Sequence, residues 1–412
     1  MPLNGVRSAR GVVAAWLLVF AVGWLTLMSV RVTTGATDIA VYFSYGEAMR
    51  HGHLPYRDFA VEYPPFSLVA FGLPAVASSG LRGYRIAFEL LMGLCGAGII
   101  MASAFAVVRL GERLVAPLGF ITAAFLALGP LALGHFDLLP AFLVSAGLAC
   151  LVWDRRTGSA ILIGLAIAAK IYGFVLVPLA VVWIWRSRGG RAALIWLGTA
   201  AATVVVCFLP FLIAAPVPVL SSLYGQAGRP VQLESSAAGA LLALHQLVGL
   251  KVGIGFSHSS ANLGGTTAAA AAALSVLAEV GLILFLWIAF ARRRGDLQQL
   301  INGSMGAVLA FVTLGKVFSP QFLLWLIPLA SLLGGTLALG GWLALGLAVV
   351  LTRLYFPGRW IGVIHLEALP TWLLVARNLA LLMLLAAVVL AFIRRPTATS
   401  PIPPRTPQAG SN

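Results

Sequence analysis

The sequence predicts an all-α polytopic membrane protein with about 12 transmembrane helices, joined in places by short extracytoplasmic or re-entrant helices. Three observations lead there. Of its 412 residues, 60% are apolar and 9% charged, and the mean hydropathy of +0.99 excludes a soluble or disordered chain. The apolar residues form long continuous runs without the alternation of barrel strands, so helices are the expected spanning form. The 27 basic residues, against 12 acidic ones, recur as short clusters between those runs. Such clusters are topology signals and lipid-headgroup contacts, and no nucleic acid is expected as a partner. Cys95, Cys150 and Cys207 all fall inside apolar runs and suggest neither disulfides nor a metal site.

The first span, Gly11 to Val30, follows Arg7 and Arg10 and lacks a small-residue cleavage site leading into a soluble domain, so it reads as retained. Further spans are expected near Gly83–Val108, Leu118–Gly134, Asp137–Trp153, Gly158–Lys170, Ile171–Trp185, Ala192–Ala214, Thr267–Ala291, Gln298–Leu314, Pro320–Gly335, Thr336–Leu351 and Thr371–Ile393. With Arg7 and Arg10 cytoplasmic, the clusters at Arg109–Arg113, Arg155–Arg156, Arg186–Arg191, Arg292–Arg294 and Arg394–Arg395 share that side. Both termini are then cytoplasmic. Residues 31–82 form the first extracytoplasmic loop, in which a short helix is expected to run from Asp38 to Met49. Phe66 to Ser79 is too short for an ordinary span, and a full crossing there would reverse every later loop, so it reads as re-entrant or interfacial. Ala237 to Leu250 reads as an interfacial helix. Residues 1–393 make one transmembrane domain, and the proline-rich 394–412 a disordered cytoplasmic tail.

The acidic residues gather on the extracytoplasmic half: Asp38, Glu47, Asp58, Glu62, Asp137, Glu234 and Glu367. Asp38 opens its short helix, where a carboxylate serves equally as an N-cap or as a base taking a proton from a bound alcohol. His51 and His53 lack a fixed carboxylate spacing and read as solvated, so no metal is expected. Lys170 sits where two short spans join, and Lys316 precedes Phe318-Ser319-Pro320-Gln321. Lysines here ordinarily snorkel to the interface. On the same side as Asp38, and with Arg353, Arg359 and His365, they also compose a cationic pocket suited to a phosphate leaving group.

Asp38 through Tyr45, Gly46 through Tyr56, Tyr63-Pro64-Pro65, Ala168-Ala169-Lys170, and Phe318-Ser319-Pro320-Gln321 leading into Leu324-Trp325 are the most specific parts of a wider resemblance. In these the chain resembles the GT-C glycosyltransferases of family 87, polyprenyl-phosphate-dependent mannosyltransferases of actinobacterial type. The resemblance implies a GT-C catalytic domain in the cell membrane with its active site facing the extracytoplasmic side. It implies that Asp38 is the catalytic base. The reaction implied is inverting transfer of mannose, or a similar hexose, from a polyprenyl monophosphate donor to a hydroxyl of a lipid-linked glycan. Lys316, Lys170, Arg353 and Arg359 are then the candidates for the donor phosphate, and Glu62, Tyr63, His135, Asp137, His258, Gln321 and His365 for sugar or acceptor hydroxyls. No cofactor and no obligate protein partner are implied; membrane lipids are the surroundings. An arabinofuranosyltransferase using a polyprenyl phosphate donor remains an alternative, as does a lipid-linked sugar transporter or flippase, since ionisable cavities and broken helices serve transport as well.

Overall fold

The computed structural model describes residues 3–30, 37–293 and 295–394. The beginning of the first loop, Arg294 and the expected tail beyond Arg394 lie outside them. The chain opens with α1 (Leu3–Ser29), then α2 (Ile39–Arg50), α3 (Leu68–Ala77) and the long α4 (Leu81–Leu110). Then follow α5 (Val115–Leu128), α6 (Pro130–Gly134), α7 (Leu138–Val152), α8 (Arg156–Ala169), α9 (Val177–Arg188) and α10 (Gly190–Ala214). A mixed segment holds α11 (Pro216–Ala227), β1 (Val231–Gln232), α12 (Ser236–Val248), β2 (Gly253–Ser257) and β3 (Ser260–Gly264). The rest is α13 (Thr266–Arg292), α14 (Leu297–Leu314), α15 (Leu323–Ala330), α16 (Gly335–Tyr355), α17 (Trp360–Ile364) and α18 (Ala368–Arg394).

Among the described residues, eight helices are long and apolar enough to cross a membrane, not the twelve expected from sequence. The four runs that fall short are broken by their own residues. Leu118–Gly134 splits into α5 and α6 at Gly129, whose φ of +51° is followed by Pro130 in the first position of the next helix. Leu138–Val152 and Arg156–Ala169 span 15 and 14 residues, and Pro320–Gly335 yields a 3-10 turn plus the 8 residues of α15. At about 1.5 Å per residue, 14 residues reach roughly 21 Å, short of a hydrocarbon layer about 30 Å thick. Apolar composition alone therefore overcounted. These short helices are wrapped by others: α7 packs against both α4 and α8.

The long helices turn apolar faces outward, as α10 does with Leu194, Val206 and Ile213 at 70%, 68% and 75% exposure, the surface expected where hydrocarbon is the solvent. The Phe66 to Ser79 segment is a 3-10 turn continued by α3, and α2 lies on it because Gly46 has no Cβ. A Cβ there would meet the Phe71 carbonyl oxygen at 2.6 Å.

One feature absent from the sequence reading is a three-stranded antiparallel sheet of order β1-β3-β2. Its hairpin pairs Ser257 with Ser260 across His258 and Ser259, whose φ values of +53° and +54° suit a primed two-residue turn. The sheet and α12 share a second apolar core, built on Val231, Leu233, Leu242 and Leu263, with Tyr355, Val363 and Leu374 of the last helices.

Candidate active site

Asp38 stands at the N-cap of α2 but makes no capping hydrogen bond with its side chain. Instead the Tyr42 hydroxyl, one turn along, donates to Asp38 Oδ2 at 3.1 Å. His135 Nε2 lies 3.8 Å from the same oxygen, and its Nδ1 is 3.0 Å from the Leu131 carbonyl. A carbonyl only accepts, so Nδ1 carries a proton. This approach depends on Gly134: a Cβ there would meet Thr37 Cγ2 at 2.5 Å, and Thr37 carries Asp38. The Tyr42 ring stacks on Phe71 at 4.5 Å and meets Tyr63 and Phe136 edge-on. Burial first, then the neighbouring Tyr63 and Asp38, push the Tyr42 hydroxyl well above its ordinary range, so it stays a proton donor.

Behind this lies a second carboxylate with a different task. Asp137 is 1% exposed, and its Oδ1 accepts from Lys170 Nζ at 2.7 Å and from Trp325 Nε1 at 2.8 Å. The Lys170 ammonium also sits 4.8, 5.0 and 4.9 Å from the ring centroids of Phe136, Phe322 and Trp325. Such a cation is held by its counter-ion and by the negative ring faces together. The break between α8 and the 3-10 turn Ile171–Leu176 places it there, where Lys170 adopts an extended backbone with φ −160°. Tyr172, two residues on, stacks on Trp325 at 4.2 Å.

A third polar group was not foreseen from sequence. Arg377, in the middle of α18, is completely buried, with its guanidinium 3.9 Å over the Phe318 ring. Its Nη2 donates to the Glu234 carbonyl and to the Tyr355 hydroxyl, both at 3.0 Å; Nε and Nη1 find no partner among the described residues. Tyr355 in turn donates to Glu234 Oε1 at 3.1 Å. Phe318 packs on Phe322, which packs on Trp325, so one aromatic row links Arg377 to Lys170. The signal was a lone arginine beside Asn378 inside an apolar run, which in a membrane helix is a functional candidate by default.

Burial pushes the Glu234 carboxyl from 4.5 up to about 7, against the opposing effects of Arg377 and the Tyr355 hydrogen bond. A raised carboxyl favours its protonated form in the folded state. Its stabilisation is complete below the unfolded value near 4.5 and is lost as pH rises through about 7. The melting temperature of the solubilised protein should therefore fall between about pH 5 and about pH 8, and Glu234→Gln should flatten that slope. An unchanged slope in the variant would refute the assignment.

The other sequence candidates fall in separate places. Glu62 is exposed, accepts from Ser259 Oγ at 3.2 Å, and lines a cleft of about 550 Å³ with Tyr56, Arg57, Ser222, Gln226 and His258. Tyr63, the next residue, turns the other way and packs on Tyr42 and Phe136, so the cleft backs onto the Asp38 group. Lys316 interacts electrostatically with Glu279 of α13, and its carbonyl accepts from the Gln232 N–H at 2.9 Å. Gln321 lies in the 3-10 turn before α15. Arg353 and Arg359 donate to the Phe356 and Leu354 carbonyls, and His365 is exposed after α17. Among the described residues none of these three makes a hydrogen bond or ion pair with Asp38, Asp137 or Lys170.

Long apolar helices around short broken ones, with carboxylates and cations at the breaks, make a multi-pass membrane protein. A solved structure of this architecture is that of ArnT from Cupriavidus metallidurans bound to undecaprenyl phosphate. It superposes with a TM-score of 0.51 at 13% identity, over 92% of this chain and 77% of that one, a likeness of fold. Glycosyltransferase family 87 matches residues 61–315, more than half of the sequence, and the chain belongs to that family. It is a glycosyltransferase. The matched stretch contains Glu62, Tyr63, His135, Asp137, Lys170 and His258, begins after Asp38 and ends before Lys316. No curated protein matches the chain.

Proposed function

We propose that this enzyme transfers mannose, or a closely similar hexose, from a polyprenyl monophosphate to a hydroxyl of a lipid-linked glycan, with inversion and with Asp38 as the base. The observation that carries this reading is the division between two carboxylates. Asp137 is 1% exposed, with Oδ1 taken by Lys170 and Trp325 and Oδ2 buried out of reach of any partner among the described residues, whereas Asp38 has a side chain 40% exposed and, among the described residues, a single hydrogen-bond donor, Tyr42. An available carboxylate, linked through Tyr42 and the Phe136 ring to a fixed cation, suits displacement at an anomeric carbon. The acceptor O–H proton passes to Asp38 as its oxygen bonds to that carbon. The bond from the carbon to the phosphate oxygen breaks, and the polyprenyl phosphate leaves with the electron pair. Lys170 and Lys316 supply positive charge for it; Arg353 and Arg359 are more remote choices. The departing lipid phosphate is of the same class as the undecaprenyl phosphate named in the ArnT structure.

In this reading the cleft at Glu62 and His258 receives the acceptor glycan, Tyr63 and His135 its reacting end, and Gln321 the donor sugar. The arginine clusters mark the cytoplasmic face, with both termini there and the Asp38 group opening on the extracytoplasmic side of a single transmembrane domain spanning 1–393. Glu62→Gln should raise the KM for the acceptor about threefold to tenfold with little change in kcat, as expected for loss of uniform binding. An unchanged KM would remove Glu62 from the acceptor site.

The donor is tested with purified enzyme in lipid, a cell-envelope lipid extract, and labelled polyprenyl-phospho-mannose, polyprenyl-phospho-arabinofuranose or GDP-mannose. Label entering a lipid-linked glycan from the first alone is expected. Transfer from the second alone would make the enzyme an arabinofuranosyltransferase. Movement of lipid-linked sugar across the bilayer without transfer would make it a flippase.

A further inference from the structure

A second cavity, of about 470 Å³, lies at the opposite end of α8 from Lys170, between the first turns of α8 and the beginning of α10. Its wall includes Arg155, Arg156, Thr157, Asp154, Ile195 and Trp196. Three features of this wall call for an anion. First, the single acid is already neutralised: Asp154 is paired with Arg188 at 2.7 Å and with Arg156 at 3.5 Å. Arg155 is left exposed, with no ion pair among the described residues. Second, the N-cap of α8 is Arg155 itself, which makes no capping hydrogen bond. The first-turn N–H groups at Arg156, Thr157 and Gly158, all three residues on the cavity wall, thus lack intrahelical acceptors. Third, Trp196 is 1% exposed and its indole N–H has no partner among the described residues. A buried unpaired donor is costly, and beside a cationic helix end it is well matched to a phosphate oxygen.

The cavity also adjoins an outward-facing apolar surface. Ile195 on its wall is 60% exposed and Leu194 beside it 70%, on the outward face of α10. A soluble anion would gain nothing from such a neighbour, whereas an acyl chain would lie along it. We propose that this cavity binds the phosphate of an anionic glycerophospholipid, its headgroup held by Arg155, Arg156, the first turn of α8 and Trp196, and its acyl chain resting on α10. Basic pockets between membrane helices recognise such headgroups generally. A choline or ethanolamine headgroup would bring its own cation against the arginines and is selected against. About 20 Å, the rise of the 14 residues of α8, separates the site from Lys170, so it is distinct from the proposed transfer chemistry.

The test is native mass spectrometry of the intact detergent-solubilised protein titrated with phosphatidylglycerol or phosphatidylcholine, alone and with inorganic phosphate or glycerol 3-phosphate present. Phosphatidylglycerol should be retained about tenfold more tightly than phosphatidylcholine, and Arg155→Gln with Arg156→Gln should abolish the difference. Trp196→Phe keeps an aromatic ring in place while removing the N–H. It should weaken phosphatidylglycerol retention severalfold with the protein still monodisperse, and so decides the matter if the arginine variant fails to fold. Equal retention of the two lipids, or undiminished preference in Trp196→Phe and the folded arginine variant, would overturn the proposal. Displacement of phosphatidylglycerol by either soluble phosphate at equal concentration would overturn the lipid assignment.

Discussion

Asp38→Asn is expected to lower the rate of sugar transfer by roughly 10²–10⁴-fold, the usual contribution of a positioned general base. The asparagine keeps the size of the side chain and an oxygen to accept from Tyr42, so the aromatic packing of α2 on Phe71 and Tyr63 has no reason to change. What it loses is the ability to take the acceptor's proton. The side chain is partly exposed, so no buried charge is left unpaired, and the variant should elute and melt like the wild type. Initial rates with polyprenyl-phospho-mannose, measured beside melting temperature, check both halves. Full turnover in a folded Asp38→Asn protein would remove Asp38 as the base. Loss of both turnover and folding would show instead that the carboxylate is structural.

Asp137→Ala is expected to act through stability, destabilising the protein by about 3–5 kcal/mol, because it strands the Lys170 charge away from water. Lys170 is only 16% exposed at its side chain, and the rings of Phe136, Phe322 and Trp325 replace little of the lost carboxylate. The indole N–H of Trp325 loses its acceptor at the same time. Asp137→Ala combined with Lys170→Met removes the charge as well as its counter-ion and should recover much of the loss. Melting temperatures of the single and double variants in the same lipid give the comparison. A double variant no more stable than Asp137→Ala would place the damage in the Trp325 contact, not in the stranded ammonium.

These residues were unequally visible in the sequence. The long helices announce themselves through apolar runs, and Asp38 through its place just after the first of them. Lys170 is legible because a lone charge interrupts two apolar segments. Its partnership with Asp137 is not, since 33 residues separate them and only the packing of α7 against α8 brings them together. The short helices deceived for the same reason the long ones did not: composition registers apolarity, and α5 and α7 are as apolar as any span while being too short to be one. The small sheet left no mark, because His258-Ser259 lacks the glycine or asparagine that usually reveals a primed turn. Arg377 was legible as an anomaly, but its partners Glu234 and Tyr355 are 143 and 22 residues away.

The shortness of α8 fixes a depth. On the topology proposed above, a helix of 14 residues rooted at Arg156 among the cytoplasmic headgroups rises about 21 Å, and the hydrocarbon layer is about 30 Å thick. Lys170 is thereby delivered on the order of 10 Å beneath the far boundary, and any tilt of the helix lowers it further. The chemistry proposed here takes place below the headgroups instead of on top of them. Reach then becomes the criterion of substrate choice: a hydroxyl tethered to a lipid is carried to that depth by its own anchor, while the same sugar dissolved in water must abandon its hydration to arrive there. An enzyme so built is expected to discriminate against free oligosaccharides by geometry before any side chain has read their identity.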